Sequence, residues 1–168
     1  RHSASRLDRF EEPVKVMTGS RKRYSPEPVK FHFARLPPLQ FYDNELFPGI
    51  PRLEAATEDI RRECEVVLAE DRDEFDPYIQ YPPGAPVNQW HELNHSRRWS
   101  TYFLWQHGQR VDSHLERCPR TAAVLESLPM AYTANHSPNV VFSALEAHTA
   151  IPPHNGDTNA RLIVHLPL

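Results

Sequence analysis

Apolar positions recur at helical spacing most clearly in one stretch. Leu53, Ala56, Ile60, Cys64, Val67 and Leu68 fall on one stripe, and charged residues fill the other face. Such a stripe lets a helix bury one side against a core, and Pro51 suits the first turn, where a missing N–H costs nothing. The spacing predicts a helix over about 53–70. Pro119 to Leu128 predicts a shorter one, with proline at its first position and Ala122, Leu125 and Leu128 on one side. The run Trp99-Ser-Thr-Tyr-Phe-Leu-Trp105 is aromatic and β-branched, ends near Gly108, and predicts a strand. Two more strands are expected, Asn139–Ala147 and Arg161–Leu166. In the last, Leu162, Val164 and Leu166 alternate with Arg161, Ile163 and His165, so a guanidinium and an imidazole share one face.

Proline breaks the remainder. Residues 1–38 hold Pro13, Pro26, Pro28, Pro37 and Pro38 without sustained periodicity, which predicts an extended arm. From Asp76 to Asn94 the run is too proline-dense for a helix or an interior strand, and predicts a connector laid over the surface. Helices early and strands late make an α+β fold. A sheet with one polar, inward-pointing row suits a small barrel or jelly roll with a site in its mouth.

Composition adds few constraints. At 168 residues the chain is one domain's worth of core, and seventeen prolines against five glycines fit a loop-rich protein. The net charge of −3 is uneven: residues 1–35 carry nine Lys/Arg against four Asp/Glu, and the rest is acidic. Arg21-Lys-Arg23 has no aromatic stacking platform near it, so a solvated segment is expected and nucleic acid is not an expected partner. Cys64 and Cys118 form no CxxC, and no secretory signal opens the chain, so reduced thiols and a cytoplasmic location are expected. No apolar run approaches the ~18 residues of a membrane span. Asn94-His-Ser96 and Asn135-His-Ser137 match the glycosylation pattern by accident on this reading. The first residue is not methionine, which suggests a fragment or a processed form.

Histidine changes the picture. Eight of the ten lie after residue 90, but His91, His95, His107, His114, His136 and His148 show no ligand spacing and read as surface or loop residues. His154 differs: two prolines stiffen its approach and Asn155-Gly156 follows as a turn pair. A stiff mount suits a metal ligand with open positions beside it, and equally a hydrogen-bonded loop histidine.

Four segments carry a resemblance. Trp99-Ser-Thr-Tyr-Phe-Leu-Trp-Gln-His-Gly-Gln-Arg110, Cys118-Pro-Arg-Thr-Ala-Ala-Val-Leu-Glu-Ser-Leu-Pro129, Phe142-Ser-Ala-Leu145 and Pro153-His-Asn-Gly-Asp-Thr-Asn-Ala-Arg-Leu-Ile-Val-His-Leu166 together resemble, in order, the aspartyl/asparaginyl β-hydroxylase domain over about residues 39–168. The most specific part is His154 to Leu166. The resemblance implies a double-stranded β-helix (jelly roll) core with flanking N-terminal helices, behind a basic proline-rich arm over 1–38. It also implies a site for Fe(II), 2-oxoglutarate and O2. His154 would be the catalytic iron ligand, and Trp105, Ser143, Arg161 and His165 would surround the 2-oxoglutarate. Neutral imidazole holds iron while leaving positions open, and hydroxyl, guanidinium and imidazole groups orient carboxylates. The residues alone admit plainer roles: Ser143 a polar strand residue, Trp105 a core aromatic, Arg161 a partner of Glu146 or Asp157.

The chain departs from the pattern in three places. Gly156 stands where the His-x-Asp/Glu carboxylate of many iron oxygenases would be, as it does in the resembled family, which works with two histidines. Ile163 replaces an arginine common in the family. The family continues beyond the position of Leu168 through strands carrying the second iron histidine and an arginine for the distal carboxylate of 2-oxoglutarate. The jelly roll is therefore expected to be incomplete here, as a truncated record of a working enzyme. Two functions are expected to compete: a dioxygenase hydroxylating the β-carbon of an Asp/Asn-type side chain or similar acidic or amide group in a peptide or small molecule, and a non-catalytic jelly-roll remnant that binds a partner.

Overall fold

The computed structural model describes residues 8–168, the side chains of Asp8 and Arg9 excepted, and residues 1–7 of the expected arm lie outside it. The chain divides into two compact units. One comprises the described residues through Tyr42 together with Asn155–Leu162; the other comprises Asp43–His154 and Ile163–Leu168. No helix among the described residues is long and apolar enough to cross a membrane.

The larger unit is α+β. Its helices are α2 (Ile50–Ala55), α3 (Thr57–Glu70), α4 (Asp112–Arg117) and α5 (Pro119–Glu126); its strands are β1 (Asp76–Pro77), β2 (Trp99–Gln106), β3 (Gln109–Arg110) and β4 (Val140–Leu145). These four strands pair antiparallel and β2 is central. β4 runs along it from Trp99↔Leu145 to Trp105↔Val140, while β1 and β3 pair with its two ends. The β2–β3 hairpin closes on His107 and Gly108, both at positive φ (53° and 84°), the geometry of a tight two-residue turn. Gly108 is needed there twice over, because a Cβ would also meet the Ser137 carbonyl oxygen at 2.7 Å.

Helices cover one side of this sheet. Tyr102, Leu104 and Phe142 meet Ile60, Val67, Leu115, Cys118 and Leu125 in the core, joined by Phe75 and Trp105. The ladder shifts register between Phe103 and Trp105, which accompanies Trp105's place in that core. The predicted α3 stripe is the buried one: Ile60 and Val67 are inside, with Cys64 and Leu68 packed beside them. The single helix expected over 53–70 is two, parted at Ala56, where the Thr57 hydroxyl donates to the Glu54 carbonyl at 2.7 Å and competes with the helical ladder.

Two polar side chains fix the helices, one binding helix to helix and one binding a helix to the sheet. Glu63 of α3 caps α5: its carboxylate accepts from the Arg120 and Thr121 amides at 2.8 Å each and from the Thr121 hydroxyl at 2.7 Å. These are donors a helix N-terminus leaves without intrahelical partners, and an anion there is favoured by the helix dipole. His114 of α4, expected to be a surface or loop residue, stacks on Tyr102 with centroids 3.8 Å apart and donates from Nδ1 to the Phe103 carbonyl at 2.7 Å.

The smaller unit corrects the expectation of an extended arm. Residues Asp8–Met17 form helix α1, supported by the Glu11–Lys15 pair one turn apart and ended at Gly19, whose φ of 73° lets the chain turn out of the helix. Beyond it the chain is irregular and laid against Asn155–Leu162. Val29 donates its amide to the Gly156 carbonyl at 2.9 Å, Phe31 to that of Asp157 at 2.9 Å, and Lys30 pairs with Asp157. Asn159 holds both main-chain groups of Phe33, accepting from its amide at 2.6 Å and donating to its carbonyl at 2.9 Å.

A second correction concerns Arg161–Leu166, which forms no strand. Alternation creates a strand only where another backbone accepts and donates along it, and among the described residues none pairs with this segment. Leu162, Ile163 and Val164 remain exposed, and Leu166 alone of the apolar set packs on the larger unit's core. Asn155-Gly156 is not a tight turn either: neither residue takes positive φ, and the chain bends at Asp157 to Ala160 instead.

Candidate active site

On the side of the sheet away from Tyr102, Leu104 and Phe142, alternation places Trp99, Thr101 and Phe103 of β2 beside Leu145, Ser143 and Val141 of β4. Trp99 is buried, and its Nε1–H donates to the Ser143 hydroxyl at 3.0 Å. Thr101 lies directly across the ladder from Ser143. It is 2% exposed, and its hydroxyl, like that of Ser100 next to it on the other face, has no partner among the described residues. A buried hydroxyl without a partner is uncommon and marks a place where polar chemistry is held at a cost.

Aromatic rings lead from this pair to His154. Tyr78 stands 4.4 Å from Trp99 by centroids, Trp90 stands 5.9 Å from Trp99, and Trp90 meets the His154 ring at 5.0 Å with planes 61° apart. His154 Nδ1 is 2.9 Å from the Pro152 carbonyl oxygen. A carbonyl can only accept, so Nδ1 carries the hydrogen and the neutral ring keeps its lone pair on Nε2. His154 is exposed on this scaffold, as is Ser143.

The expected site residues divide accordingly. Ser143 and His154 come together through Trp99 and Trp90. Trp105 does not join them: it sits at the opposite end of β2 from Trp99, 2% exposed in the helix-covered core, with the Arg110 guanidinium 5.2 Å from its ring centre. Its plainer role, a core aromatic, describes this placement. Arg161 belongs to the smaller unit and lines a hollow of ≈ 170 Å³ there with Tyr24, Glu27, Gln40, Tyr42 and Asn155. Asp157 pairs with Lys30 and Glu146 with Arg72, so neither takes Arg161 as its ion-pair partner. His165 is exposed on an irregular segment.

Sequence reasoning did not single out Trp90, Trp99 or Thr101. A signal existed for two of them, since Trp99 and Thr101 alternate with the core positions Tyr102 and Leu104. None existed for Trp90, which reaches the site on a short 3-10 turn, Asn88–Trp90, inside the proline-rich connector. That connector is knit to itself: the Asn94 side chain accepts from the Tyr81 amide at 2.8 Å, and His95 takes the Tyr81 carbonyl at 2.8 Å.

The displaced thiols and phenol lie away from the site. Burial pushes Cys118 up to about 12 and Cys64 up to about 11, with nearby Glu63 and Glu65 respectively adding to it. Burial, then Asp71, raises Tyr102 to about 12. Among the described residues no three His, Cys, Asp or Glu side chains converge as a metal cluster.

The chain is 28% identical over 142 residues to the ornithine lipid ester-linked acyl 2-hydroxylase of Rhizobium tropici, covering 84% of this chain and 46% of that protein. It is 31% identical over 97 residues to the aspartyl/asparaginyl β-hydroxylase of Homo sapiens, covering 58% of this chain and 13% of that one. Against the human aspartate β-hydroxylase domain-containing protein 2 the identity is 37% over 73 residues, 44% of this chain and 20% of the relative. The chain thus spans less than half the length of these curated relatives. No solved structure matches it. The sequence model of the aspartyl/asparaginyl β-hydroxylases matches residues 54–168, which takes in β2, the α5 helix capped by Glu63, Ser143 and His154; the chain belongs to the aspartyl/asparaginyl β-hydroxylase family.

Proposed function

We propose that this chain carries part of the active site of an Fe(II)/2-oxoglutarate-dependent dioxygenase with a jelly-roll core, which hydroxylates the β-carbon of an Asp/Asn-type side chain or a similar acidic group in a peptide or small molecule. The observation that carries it is His154, with Nδ1–H committed to the Pro152 carbonyl, Nε2 left as the donor, and its ring reached from Ser143 through two packed indoles.

The residues present fit the groups the reading requires. Metal-bound histidines commonly donate their other nitrogen to a carbonyl, which fixes tautomer and ring direction, and His154 has that arrangement. It enters as one ligand. Ser143 offers a hydroxyl and Thr101 a buried hydroxyl without a protein partner, which suits the carboxylate of a co-substrate. His165 is assigned to the same co-substrate by family likeness. Iron with 2-oxoglutarate and O2 supplies the oxidising power for the C–H bond. The chain's own part is placement: Trp99 fixes the direction of the Ser143 hydroxyl by donating to it, and Tyr78 packs on the Trp99 ring.

The test is release of labelled carbon dioxide from carboxyl-labelled 2-oxoglutarate by the full-length protein with Fe(II) and ascorbate, offered acidic peptides and acyl-amino-acid lipids. Turnover should fall at least ~100-fold in His154→Ala, as expected when a metal ligand is lost. Equal rates in parent and variant would refute the reading.

A further inference from the structure

We propose that Trp90 is the positioning residue of His154, holding the imidazole in the orientation and tautomer that present Nε2 to a metal. The inference rests on the iron reading of His154 and adds a residue from outside the motif.

An exposed imidazole anchored only at Nδ1 can still swing about the bond to its ring. The 2.9 Å contact with the Pro152 carbonyl fixes one edge, and a second contact is needed to fix the plane. Trp90 makes that contact, 5.0 Å away by centroids and tilted 61°, the edge-to-face arrangement aromatic quadrupoles prefer. The indole is itself fixed. The Trp90 carbonyl accepts from the Leu93 and Asn94 amides at 2.9 and 2.8 Å, and its ring lies 5.9 Å from Trp99. Trp99 is 7% exposed and bonded to Ser143. One packed series therefore runs from the main sheet to the ring of the candidate ligand. The aromatic connector has a task beyond covering surface: it couples the placement of His154 to β2 and β4, in addition to the chain path through Pro152 and Pro153.

Two readouts test this on the full-length protein. In the metal-free state, with histidine labelled by 15N and at a pH where the ring is neutral, the side-chain shifts of His154 should report Nδ1–H in the parent. They should report an averaged mixture of tautomers in Trp90→Ala and recover in Trp90→Phe. Titration with Co(II) as the probe should show affinity falling about tenfold in Trp90→Ala, the usual scale for a residue behind a ligand, with most of it restored in Trp90→Phe. Melting temperature, followed in parallel, separates positioning from unfolding, and Trp90→Leu replaces the alanine variant if that one does not fold. A folded variant without the ring that keeps both the parent's tautomer and its Co(II) affinity overturns the proposal. A parent that binds no Co(II) through His154 sinks the iron reading instead, and the tautomer comparison still decides whether Trp90 orients the ring.

Discussion

The two faces of the β2–β4 sheet use the same backbone for opposite ends. One face sets Tyr102, Leu104 and Phe142 against three helices, and nearly every side chain there is apolar and enclosed. The other sets Trp99, Thr101 and Ser143 among rings, with one hydroxyl bonded to an indole and another buried without a partner. Because residues alternate, each step from Trp99 to Leu104 moves from one face to the other, until the register shift brings Trp105 into the core as well. The difference teaches where stability and chemistry reside: the helix side repays burial with dispersion and hydrophobic transfer even around the buried Ser100 hydroxyl, while the other side carries the indole–hydroxyl pair. A strand buried on both sides can still have a working face.

Substitutions should separate the two faces by size of effect. The largest is Tyr102→Ala, which empties a core site packed by Phe75, His114 and Phe142 and should cost about 3–5 kcal/mol in urea denaturation; a loss under ~1 kcal/mol would show that the helix side is not the stabilising one. Alkaline pH should also act on that side. The Cys118 thiol is raised from 9.0 to about 12 and the Tyr102 phenol from 10.0 to about 12. Folding favours their neutral forms, so the contribution is whole below the unfolded values and is lost as pH climbs from about 9 towards 12. Thermal melts across that window should fall steeply, and less steeply in Cys118→Ala measured against its own neutral-pH value.

Glu63→Gln comes next. It keeps the shape of the α5 cap but gives up its charge, and should cost about 1–2 kcal/mol by the same denaturation. Trp99→Phe probes the open face: it removes the indole donor to Ser143 and should cost about 1 kcal/mol, while weakening 2-oxoglutarate binding in a titration more than any core substitution of equal stability cost. The smallest effect on stability is expected from His154→Ala, within ~0.5 kcal/mol because the residue is exposed, alongside the loss of turnover proposed above. A His154→Ala protein destabilised as much as Tyr102→Ala would erase the distinction between the faces.

Legibility followed the locality of the signal. The α3 stripe, β2, β4 and α5 were all readable, since each is set by spacing within a few residues that a neighbour's presence only confirms. The helix over Asp8–Met17 is not legible because Pro13 lies inside it, where proline argues against a helix, and the local signals for it are only the Glu11–Lys15 pair and Gly19. Arg161–Leu166 reads as a strand by alternation, but alternation states which side chains could share a face, not which backbone lies alongside. At the site, His154 and Ser143 stand out through family likeness, and the indoles of Trp90 and Trp99 lie between them. Trp105 also stood out, yet the register shift and the side of β2 it faces put it in the core, and Trp99 lies beside Ser143 in its place.

The sequence by itself determined the α+β class, the positions of the main helices and strands, and membership of the aspartyl/asparaginyl β-hydroxylases. Those follow from local periodicity and from motifs that survive in order along the chain. The tertiary structure alone decided which indole meets the serine, which hydroxyls are left buried without a partner among the described residues, that His114 closes against the core, and that Trp90 of a proline-rich connector reaches the ring of His154. Such contacts join residues 44 or more positions apart, or depend on a turn whose direction no periodicity encodes, so only the folded chain brings them within a few ångströms.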